Sequence, residues 1–260
     1  TRLIKEIHAR LMDGARGSHL EPGELRRSQN WIGSRGATLT TAAFVPPPPD
    51  AVAGALGDLE GFVHGRDDLP LLVKIGLVHV QFETIHPFLD GNGRVGRLLI
   101  TFLLTERQVL HQPVLYLSHY FKRHRAAYYD HLQRVRETGD WEGWLQFFLT
   151  GVIEVSGEAA ETARKILLLR EKHRSAITAH LGRAAGNGHK VLESLYERPI
   201  LSVHDVQRIT GTSYAAANTL VHRMARQGIL TEMTGNARNR RFRYDSYIGL
   251  FTDGPNDRTR

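Results

Sequence analysis

The stretch His86-Pro-Phe-Leu-Asp-Gly-Asn-Gly-Arg-Val-Gly-Arg97 determines how the rest of the sequence is interpreted. It places a histidine on a rigid turn, then a carboxylate, then a glycine-rich loop before a helix that apolar spacing predicts over 94–107. The first turn of such a helix presents unpaired backbone N–H groups and a partial positive charge from the helix dipole. Gly91 and Gly93 lack the side chains that would keep a phosphate from those groups. The stretch therefore predicts a phosphate-binding loop between two helical segments.

Four side chains in this stretch add the matching chemistry. His86 can titrate near neutral pH and take a proton from an attacking hydroxyl. Asp90 is a hard oxygen ligand of the kind that Mg²⁺ bound to nucleotide phosphates requires. Arg94 and Arg97 add positive charge and forked donors that fit phosphate oxygens. Each residue type alone is more often structural, and neither a P-loop nor a Gly-x-Gly-x-x-Gly motif is present, so the combination carries the prediction.

The stretch resembles the signature of the Fic family, His-Pro-Phe-x-Asp/Glu-Gly-Asn-Gly-Arg-x-x-Arg, and matches every specified position. Features around it resemble the helical core of that family: 29–33, Phe44-Val45 with its prolines, Tyr128-Tyr129, and Gly139-Asp140-Trp141. The resemblance covers about residues 1–155. It implies a mainly α fold, with a Fic-type helical core and a small β-hairpin flap.

The resemblance also implies a protein adenylyltransferase, which moves AMP from ATP to a Ser, Thr or Tyr hydroxyl of a target protein and releases pyrophosphate. His86 would be the general base, and Asp90 would hold Mg²⁺ between the phosphates. The backbone of 91–93 and the Asn92 side chain would form an anion hole. Arg94 would neutralise the leaving pyrophosphate, and Arg97 would reach the terminal phosphate. The ATP site implied in this way comprises Gly91, Asn92, Gly93, Arg94, Val95, Gly96 and Arg97, together with Tyr128 and Tyr129.

Two parts of this assignment keep an alternative. Tyr128 and Tyr129 stand where the family contacts adenine, but their spacing fits core packing equally well. The hairpin predicted at about 32–44 resembles the family's flap, which pairs with an extended target segment by strand addition. An ordinary surface hairpin is the other interpretation. The flap residues implied to contact the target are Ile32, Gly33, Thr38, Leu39 and Thr40.

Regulation and function leave further alternatives. Many Fic proteins carry an inhibitory helix, Ser/Thr-x-x-x-Glu-Gly/Asn, whose glutamate pairs with the second signature arginine, Arg97 here. The match at 138–143 lies within the Gly-Asp-Trp feature, so we do not assign it this role and expect Arg97 to be free of such an inhibitor within these 260 residues. That absence argues against the reverse reaction, removal of AMP. The competing functions are a DNA-binding regulator or toxin-type protein whose core senses nucleotide, and transfer of a group other than AMP.

The predicted order of segments is helical almost throughout. Apolar periodicity predicts helices over 1–14, 51–65, 69–85, 120–137 and 141–181, the last with a break near 156–157. The proline run at 46–49 predicts a stiff extended connector, and 37–45, which is Thr-rich and β-branched, predicts a strand of a small hairpin with its turn around 33–36. The Ala-Ala-Gly-Asn-Gly segment at 184–188 predicts a linker. The domains expected are therefore 1–183, the Fic catalytic domain, and 189–250, followed by a disordered tail at 251–260.

The segment after the linker predicts a winged helix-turn-helix. Helices are expected at 190–197, 202–209 and 214–227, and strands at 229–233 and 240–244. The third helix carries Asn218, His222, Arg223 and Arg226, and the wing carries Arg238, Arg240, Arg241 and Arg243. These residues fit DNA binding, while protein docking or homodimer formation is the alternative.

Composition limits the class of protein. The chain is 41% hydrophobic and 23% charged, has no cysteine, and contains no apolar run long enough for a membrane helix. No signal peptide is visible, so we expect a cytoplasmic protein without membrane association. The net charge of +7 fits an anionic partner or a solvated basic surface.

Overall fold

The computed structural model describes residues 1–14, 20–34, 36–66, 68–110, 116–236 and 239–252. The chain divides into two compact units, Thr1–Gly157 and Glu158–Arg260. The boundary predicted from the sequence, at 184–188, lies some thirty residues further along the chain. The difference arises because one long helix contains residues of both units. That helix spans Trp141–Leu181, and its later residues Ile177 and Leu181 belong to the core of the second unit.

The first unit is built around one buried helix. Its helices are α1 (Arg2–Met12), α2 (Pro49–His64), α3 (Leu71–Ile85), α4 (Asn92–Glu106), α5 (Leu117–Arg123), α6 (Arg125–Thr138) and the start of α7 (Trp141–Leu181). Helix α3 has buried side chains on all of its faces, as expected for an apolar helix enclosed by others. Ile75 and Val80 of α3 join one apolar cluster, and Val78 and Phe82 join another. Both clusters therefore hold α3, and with it the turn that follows Ile85, in a fixed place.

The mainly helical prediction is confirmed, and several details are corrected. Pro49 is not part of an extended connector: it begins α2, because a proline at the first helical position loses no hydrogen bond. The helix predicted over 120–137 is divided at His124 into α5 and α6. The break predicted near 156–157 is wrong, since α7 continues through Gly157 without interruption. The strand predicted at 37–45 is also wrong: the only pairing in the described part of this segment is an isolated antiparallel bridge between Ile32 and Phe44.

The second unit combines helices with a small sheet. After a short 3-10 helix (Gly182–Ala184) come α8 (Ala185–Glu197), β1 (Ile200–Ser202), α9 (Val203–Thr210), α10 (Tyr214–Arg226), β2 (Thr231–Glu232), β3 (Arg241–Arg243) and α11 (Asp245–Thr252). The sheet order is β1-β3-β2, and both pairings are antiparallel. Ser202 forms a capping box with Asp205 at the start of α9, and the Ser213 side chain caps α10.

Three predictions for this unit need correction. The linker predicted at 184–188 is wrong, because these residues form the end of the 3-10 helix and the first turn of α8. Gly188 packs there against Ile177 and Leu181, and such burial outweighs the weak helix propensity of glycine. Strand β1 and helix α11 are not predicted by the sequence pattern. The tail predicted at 251–260 begins inside α11, and its residues 253–260, like Arg238, lie outside the described residues.

Within the described ranges, no helix combines the length and the apolar character needed to cross a lipid bilayer.

Candidate active site

The candidate site begins where α3 ends. His86 follows the last residue of α3 in a left-handed conformation (φ 48°, ψ 61°), and its N–H donates to Phe82 O at 3.0 Å. Two hydrogen bonds then close the next turn: Asn92 Oδ1 accepts from Phe88 N at 2.8 Å, and Asn92 Nδ2 donates to Phe88 O at 2.7 Å. The Asn92 side chain is buried, and each of its two polar atoms makes one bond to the Phe88 backbone, so it fixes the shape of the loop.

Helix α4 begins at Asn92, two residues earlier than the sequence predicts, and its first turn is open. Gly91 precedes it at φ 82°, and no side chain caps the helix. The backbone N–H groups of Asn92 and Gly93 have no acceptor among the described residues. A Cβ at Gly91 would lie 2.9 Å from Met12 Sδ, so only glycine fits at this left-handed position. The arrangement places two donors without an acceptor at the positive end of the helix, which is the combination that favours an anion.

Two charged side chains border these donors. Arg94 Nη2 lies 3.5 Å from Asp90 Oδ2, a weak partly exposed ion pair. Arg97 makes no side-chain hydrogen bond or ion pair within the part of the chain that the structure describes, and its Nη1 lies over Gly93. Val95 is buried and Gly96 packs against Phe82, so these two residues support the helix rather than face the loop's open side.

A metal ion at this place would depend on few protein atoms. Asp90 Oδ1 accepts from Gly91 N at 2.6 Å, while Oδ2 is partly exposed beside Arg94. Among the described residues, no group of three or more His, Asp or Glu side chains could hold a metal by itself. Mg²⁺ usually keeps several waters and binds through one or two carboxylates plus substrate phosphates. A single open carboxylate next to a phosphate-binding loop fits that mode and does not fit a cage made only of protein ligands.

His86 is kept neutral by its surroundings. Burial lowers the pKa of His86 to about 4, and the positive charges of Arg136 and Arg26 act in the same direction. The Asp90 carboxylate and the backbone of Glu83 oppose this shift. The Glu83 carbonyl lies near the ring but outside hydrogen-bond geometry, so the buried Nδ1 atom has no partner among the described residues. At neutral pH the imidazole is therefore a vacant proton acceptor.

The sequence does not identify His8, although this residue braces the loop from α1. His8 Nδ1 accepts from Gly23 N at 2.8 Å, so the ring hydrogen is on Nε2, which donates to Asp90 O at 3.0 Å. The ring also stacks on Phe88 with a centroid separation of 3.8 Å. The only signal in the sequence is that His8 lies beside the apolar residues of α1, which does not distinguish it from a packed histidine.

A buried polar layer lies behind the first turn of α4. His79 Nδ1 donates to Gly96 O at 3.1 Å, and His79 Nε2 accepts from the Tyr128 hydroxyl at 3.0 Å. Burial lowers the pKa of His79 to about 4. Tyr128 is therefore a core residue with its hydroxyl engaged, whereas Tyr129 is 47% exposed and packs edge-on against it. Of the two tyrosines, Tyr129 is the exposed one, and the Arg125 guanidinium lies 5.7 Å from the centre of its ring.

Glu83 is the one buried carboxylate of this layer. It is 5% exposed, and its Oε1 atom has no hydrogen-bond partner among the described residues. A Cβ at Gly96 would lie only 2.6 Å from that oxygen, so the glycine makes room for the carboxyl group. Burial raises the pKa of Glu83 to about 7, although Arg97 and Arg136 act against this shift.

The segment predicted to be a flap is a loop closed at its base. Ile32 N donates to Phe44 O at 2.8 Å, and Phe44 N donates to Ile32 O at 3.1 Å. Asn30 Nδ2 ties the base to the signature loop through Phe88 O at 2.9 Å. At the tip, Thr38 Oγ1 bonds to the hydroxyl of Thr40 at 2.9 Å, and Leu39 is exposed. Gly33 lies near the base, where a Cβ would meet the Ala37 side chain at 2.6 Å.

Comparison with known proteins points to one family. The model of the Fic/DOC family matches residues 1–104, which contain α1 to most of α4 and the whole signature loop. The chain is 32% identical over 149 residues to "Protein adenylyltransferase Fic" of Aedes aegypti, a match that covers 55% of this chain and 26% of that protein. It is 39% identical over 69 residues to "Probable protein adenylyltransferase" of Aquifex aeolicus (strain VF5), covering 26% of this chain and 22% of that one. The chain thus spans about a quarter of the length of these relatives.

A solved structure shares the fold. The crystal structure of a Fic family protein from Desulfovibrio desulfuricans G20 matches with a TM-score of 0.56 and 24% identity, covering 93% of this chain and 67% of that one. At this identity the similarity concerns the fold.

Proposed function

We propose that this chain, whose residues 1–104 carry a Fic/DOC family domain, is a protein adenylyltransferase that transfers AMP from ATP to a hydroxyl group of another protein. The observation that carries the proposal is the uncapped first turn of α4, where the N–H groups of Asn92 and Gly93 have no acceptor among the described residues, in the loop that follows the neutral His86. The relatives named as protein adenylyltransferases support the same activity. In such a reaction, positioning and charge stabilisation supply most of the rate.

The nucleotide would bind with its phosphates at the start of α4. The N–H groups of Asn92 and Gly93 would donate to phosphate oxygens, and the helix dipole favours the negative charge. Arg97, which has no partner among the described side chains, would reach the terminal phosphate, while Arg94 would neutralise the departing pyrophosphate. Asn92 would contribute its backbone only, because its side chain is bonded to Phe88. Tyr129 would contact adenine, and Tyr128 would support it from the core.

The chemical step would use His86 as general base. The target hydroxyl gives its proton to Nε2, since Nδ1 is buried, and its oxygen forms a bond to the α-phosphorus of ATP. The bond from that phosphorus to the bridging oxygen breaks, and pyrophosphate leaves with the electron pair. Bound phosphates add negative charge near His86, which raises its pKa from about 4 towards neutrality and makes it a better base.

Magnesium fits this arrangement through Asp90. Its Oδ2 atom would hold Mg²⁺, which supplies charge neutralisation on the phosphates when it is bound. Asp90 itself is oriented for this role by its hydrogen bond from Gly91 N and by the bond from His8 to its backbone oxygen.

The target would bind along the segment 32–44. An extended peptide could add as a strand beside the Ile32–Phe44 bridge and the adjoining Gly33, while 38–41 form a turn closed by Thr41 N donating to Thr38 O at 3.1 Å. Exposed Leu39 and the threonines Thr38 and Thr40 offer side-chain contacts to that peptide.

The test is transfer of label from ATP. The purified chain is incubated with Mg²⁺, candidate target proteins and ATP labelled at either the α or the γ phosphate, beside the variants His86→Ala and His119→Ala. The second is a matched control, because His119 is exposed on α5 and lies outside the signature stretch. Label on protein from the α position only, lost in His86→Ala and kept in His119→Ala, is the expected result. Label from the γ position only would overturn the proposal in favour of phosphate transfer.

We further infer that the second unit is a winged helix-turn-helix. Its order of α8, β1, α9, α10, β2 and β3, with a β1-β3-β2 antiparallel sheet, supports this assignment. Several arginines expected to contact DNA are engaged within the unit: Arg240 donates to Asn218, Arg243 pairs with Asp245, and Arg223 donates to His180 O. Arg226 and Arg241 are exposed.

Whether this unit binds DNA or protein is decided by titration with a random DNA duplex. Fluorescence anisotropy at low salt, repeated at rising salt, should show affinity that falls with salt concentration if Arg226 and Arg241 contact phosphates. No binding at low salt would remove the DNA-binding regulator as a function and favour docking or a homodimer, which sedimentation would detect.

The cytoplasmic location remains a prediction from the sequence.

A further inference from the structure

Two arginines that the sequence does not single out connect the candidate general base to the candidate target-binding segment. We propose that Arg26 and Arg136, the arginine clamp, are positioning residues that hold the His86 turn in register with the base of segment 32–44. The inference rests on the proposed function, because it takes His86 as the base and that segment as the target site. Neither arginine belongs to the signature stretch or to the loop that would bind ATP.

Arg26 joins three parts of the chain from a fully enclosed position, since it is only 2% exposed. Its Nε donates to His86 O at 2.9 Å, and its Nη2 donates to Ile85 O at 3.4 Å. The same Nη2 makes a short hydrogen bond to Pro47 O, three residues beyond Phe44. Its own backbone N–H donates to Pro87 O at 2.9 Å. Arg26 therefore bonds to the carbonyls of Ile85, His86 and Pro87 around the turn. It also bonds to the carbonyl of Pro47, just beyond segment 32–44.

Arg136 reaches the same turn from α6. Its Nη2 donates to Glu83 O at 3.1 Å, and its Nε donates to Thr84 Oγ1 at 3.3 Å. The guanidinium carbon lies 3.7 Å from the centre of the Phe44 ring, a cation–π contact at the base of segment 32–44. Phe44 is the residue that closes the base by its two backbone hydrogen bonds with Ile32. Arg136 therefore also bridges the last turn of α3 and the candidate target-binding segment.

Helix α3 needs these donors because its own sequence lacks them. The last four carbonyl groups of a helix have no partner within the helix, and basic side chains near the end often satisfy them. Helix α3 has no basic residue in its last turn, and the carbonyls of Glu83 and Ile85 are bonded instead by the two arginines. No carboxylate forms an ion pair with Arg26 among the described residues. Burying a guanidinium against carbonyl oxygens alone is costly, which is consistent with a positioning role in place of a purely stabilising one.

The clamp also affects the protonation of His86. The charged groups that face this histidine are Arg136 from α6, Arg26 from the segment before the loop, and Asp90 from the loop itself. The two arginines lower the pKa of His86, and Asp90 raises it, in each case less than burial lowers it. The two cations thus add to the larger effect of burial, which keeps the base unprotonated, and their hydrogen bonds fix the place of its turn.

The experiment separates position from charge with variants of Arg136. Arg136→Met removes the charge and the fork, Arg136→Lys keeps the charge but loses the planar stack on Phe44, and Arg134→Met is the matched control on the exposed side of the same helix. The pKa of His86 is measured by NMR titration of the histidine signals, with His86→Ala used to assign the peak among the 14 histidines. AMP transfer is measured separately as a function of target concentration at saturating ATP.

The expected results differ between the variants. In Arg136→Met the pKa of His86 rises, because a nearby positive charge is lost, and the KM for the target rises by about fivefold or more. In Arg136→Lys the pKa stays near that of the unchanged protein, while the KM for the target still rises. The KM for ATP is unchanged in both variants. Arg134→Met changes neither the pKa of His86 nor the KM for the target. An Arg136→Met protein with unchanged His86 pKa and unchanged target KM would overturn the proposal.

Arg26 is tested in parallel by Arg26→Lys, whose fold is checked from its melting temperature. A folded variant should show a raised target KM, since lysine cannot reach the carbonyls of His86, Ile85 and Pro47 together; an unchanged KM would overturn its part in the clamp. The NMR titration requires no activity. If the chain transfers no AMP, the proposed function fails, and the effect of the Arg136 charge on His86 is still decided by the pKa.

Discussion

Replacing Glu83 by glutamine tests whether the layer behind the signature loop contains a carboxyl group kept in its neutral form. Burial raises the pKa of Glu83 from 4.5 to about 7, so the folded protein holds a proton that the unfolded chain has already lost between those two values. The folded state then binds more protons than the unfolded state, and stability falls as pH rises from about 4.5 to 7. Glutamine keeps the shape of the side chain and does not titrate.

The size of the effect follows from the two pKa values. The difference between about 7 and 4.5 corresponds to about 3 kcal/mol at 1.36 kcal/mol per pH unit. Glu83→Gln should therefore gain up to about 3 kcal/mol relative to the unchanged protein between pH 4.5 and pH 8. Part of this gain is offset if the amide leaves Arg97 and Arg136 with less favourable charge interactions, because both arginines favour the ionised carboxylate.

Urea unfolding followed by tryptophan fluorescence is a suitable assay. The three tryptophans, Trp31, Trp141 and Trp144, all lie in the first unit, so the signal reports on the unit that contains Glu83. Unfolding free energies of both proteins are measured from pH 5 to pH 8. Glu106→Gln serves as control, since Glu106 is exposed at the end of α4 and pairs only with the neighbouring Arg107. A stability difference between Glu83→Gln and the unchanged protein that is constant with pH, or that shrinks as pH rises, would refute the reasoning.

Further predictions concern the same unit. In the Glu83→Gln protein, the free energy of unfolding should fall by about 3 kcal/mol or more as pH drops from about 6.5 to 4. The reason is that folded His79 stays neutral down to its pKa of about 4, while the unfolded chain takes up a proton near 6.5. A flat pH profile in urea unfolding would contradict this. Gly91→Ala should lower the melting temperature and weaken nucleotide binding, since the added Cβ meets Met12 Sδ at 2.9 Å at a left-handed position; calorimetry with ATP measures both, and wild-type values would show that the loop yields easily. Trp144→Phe should cost about 1–3 kcal/mol, because the indole N–H donates to a backbone oxygen of α3 at 2.9 Å in a fully buried place; a smaller cost in urea unfolding would mean that the lost hydrogen bond is replaced.

The signature loop could be predicted from the sequence because its physics is local. A glycine at a left-handed position, a helix start and flanking basic residues all depend on neighbours within a few residues, and the structure contains the first two at Gly91 and Asn92. The same holds for most helices of the first unit, whose apolar spacing is read within one segment. Local patterns were misleading where packing overrides propensity, as at 184–188, where glycines are helical because Gly188 fits against Ile177 and Leu181.

The site around the loop could not be predicted, because it is assembled from distant segments. His8, Arg26 and Arg136 approach His86 or its loop from three different parts of the chain, and nothing in their immediate neighbours indicates those contacts. The opposite directions of the pKa shifts at His86 and Glu83, three residues apart, likewise depend on burial by other helices.

The sequence by itself determined that this protein has a mainly helical fold and a loop with the composition of a phosphate site, since both are encoded in the spacing of neighbouring residues. Only the tertiary structure decided which groups of that loop stay available. In that structure the Asn92 side chain bonds to Phe88, and Tyr128 is buried while Tyr129 is exposed. Two arginines bond to the residues at the end of α3. The physical reason is that hydrogen bonding and burial are settled by which helices pack together, and residues far apart in the chain decide that packing.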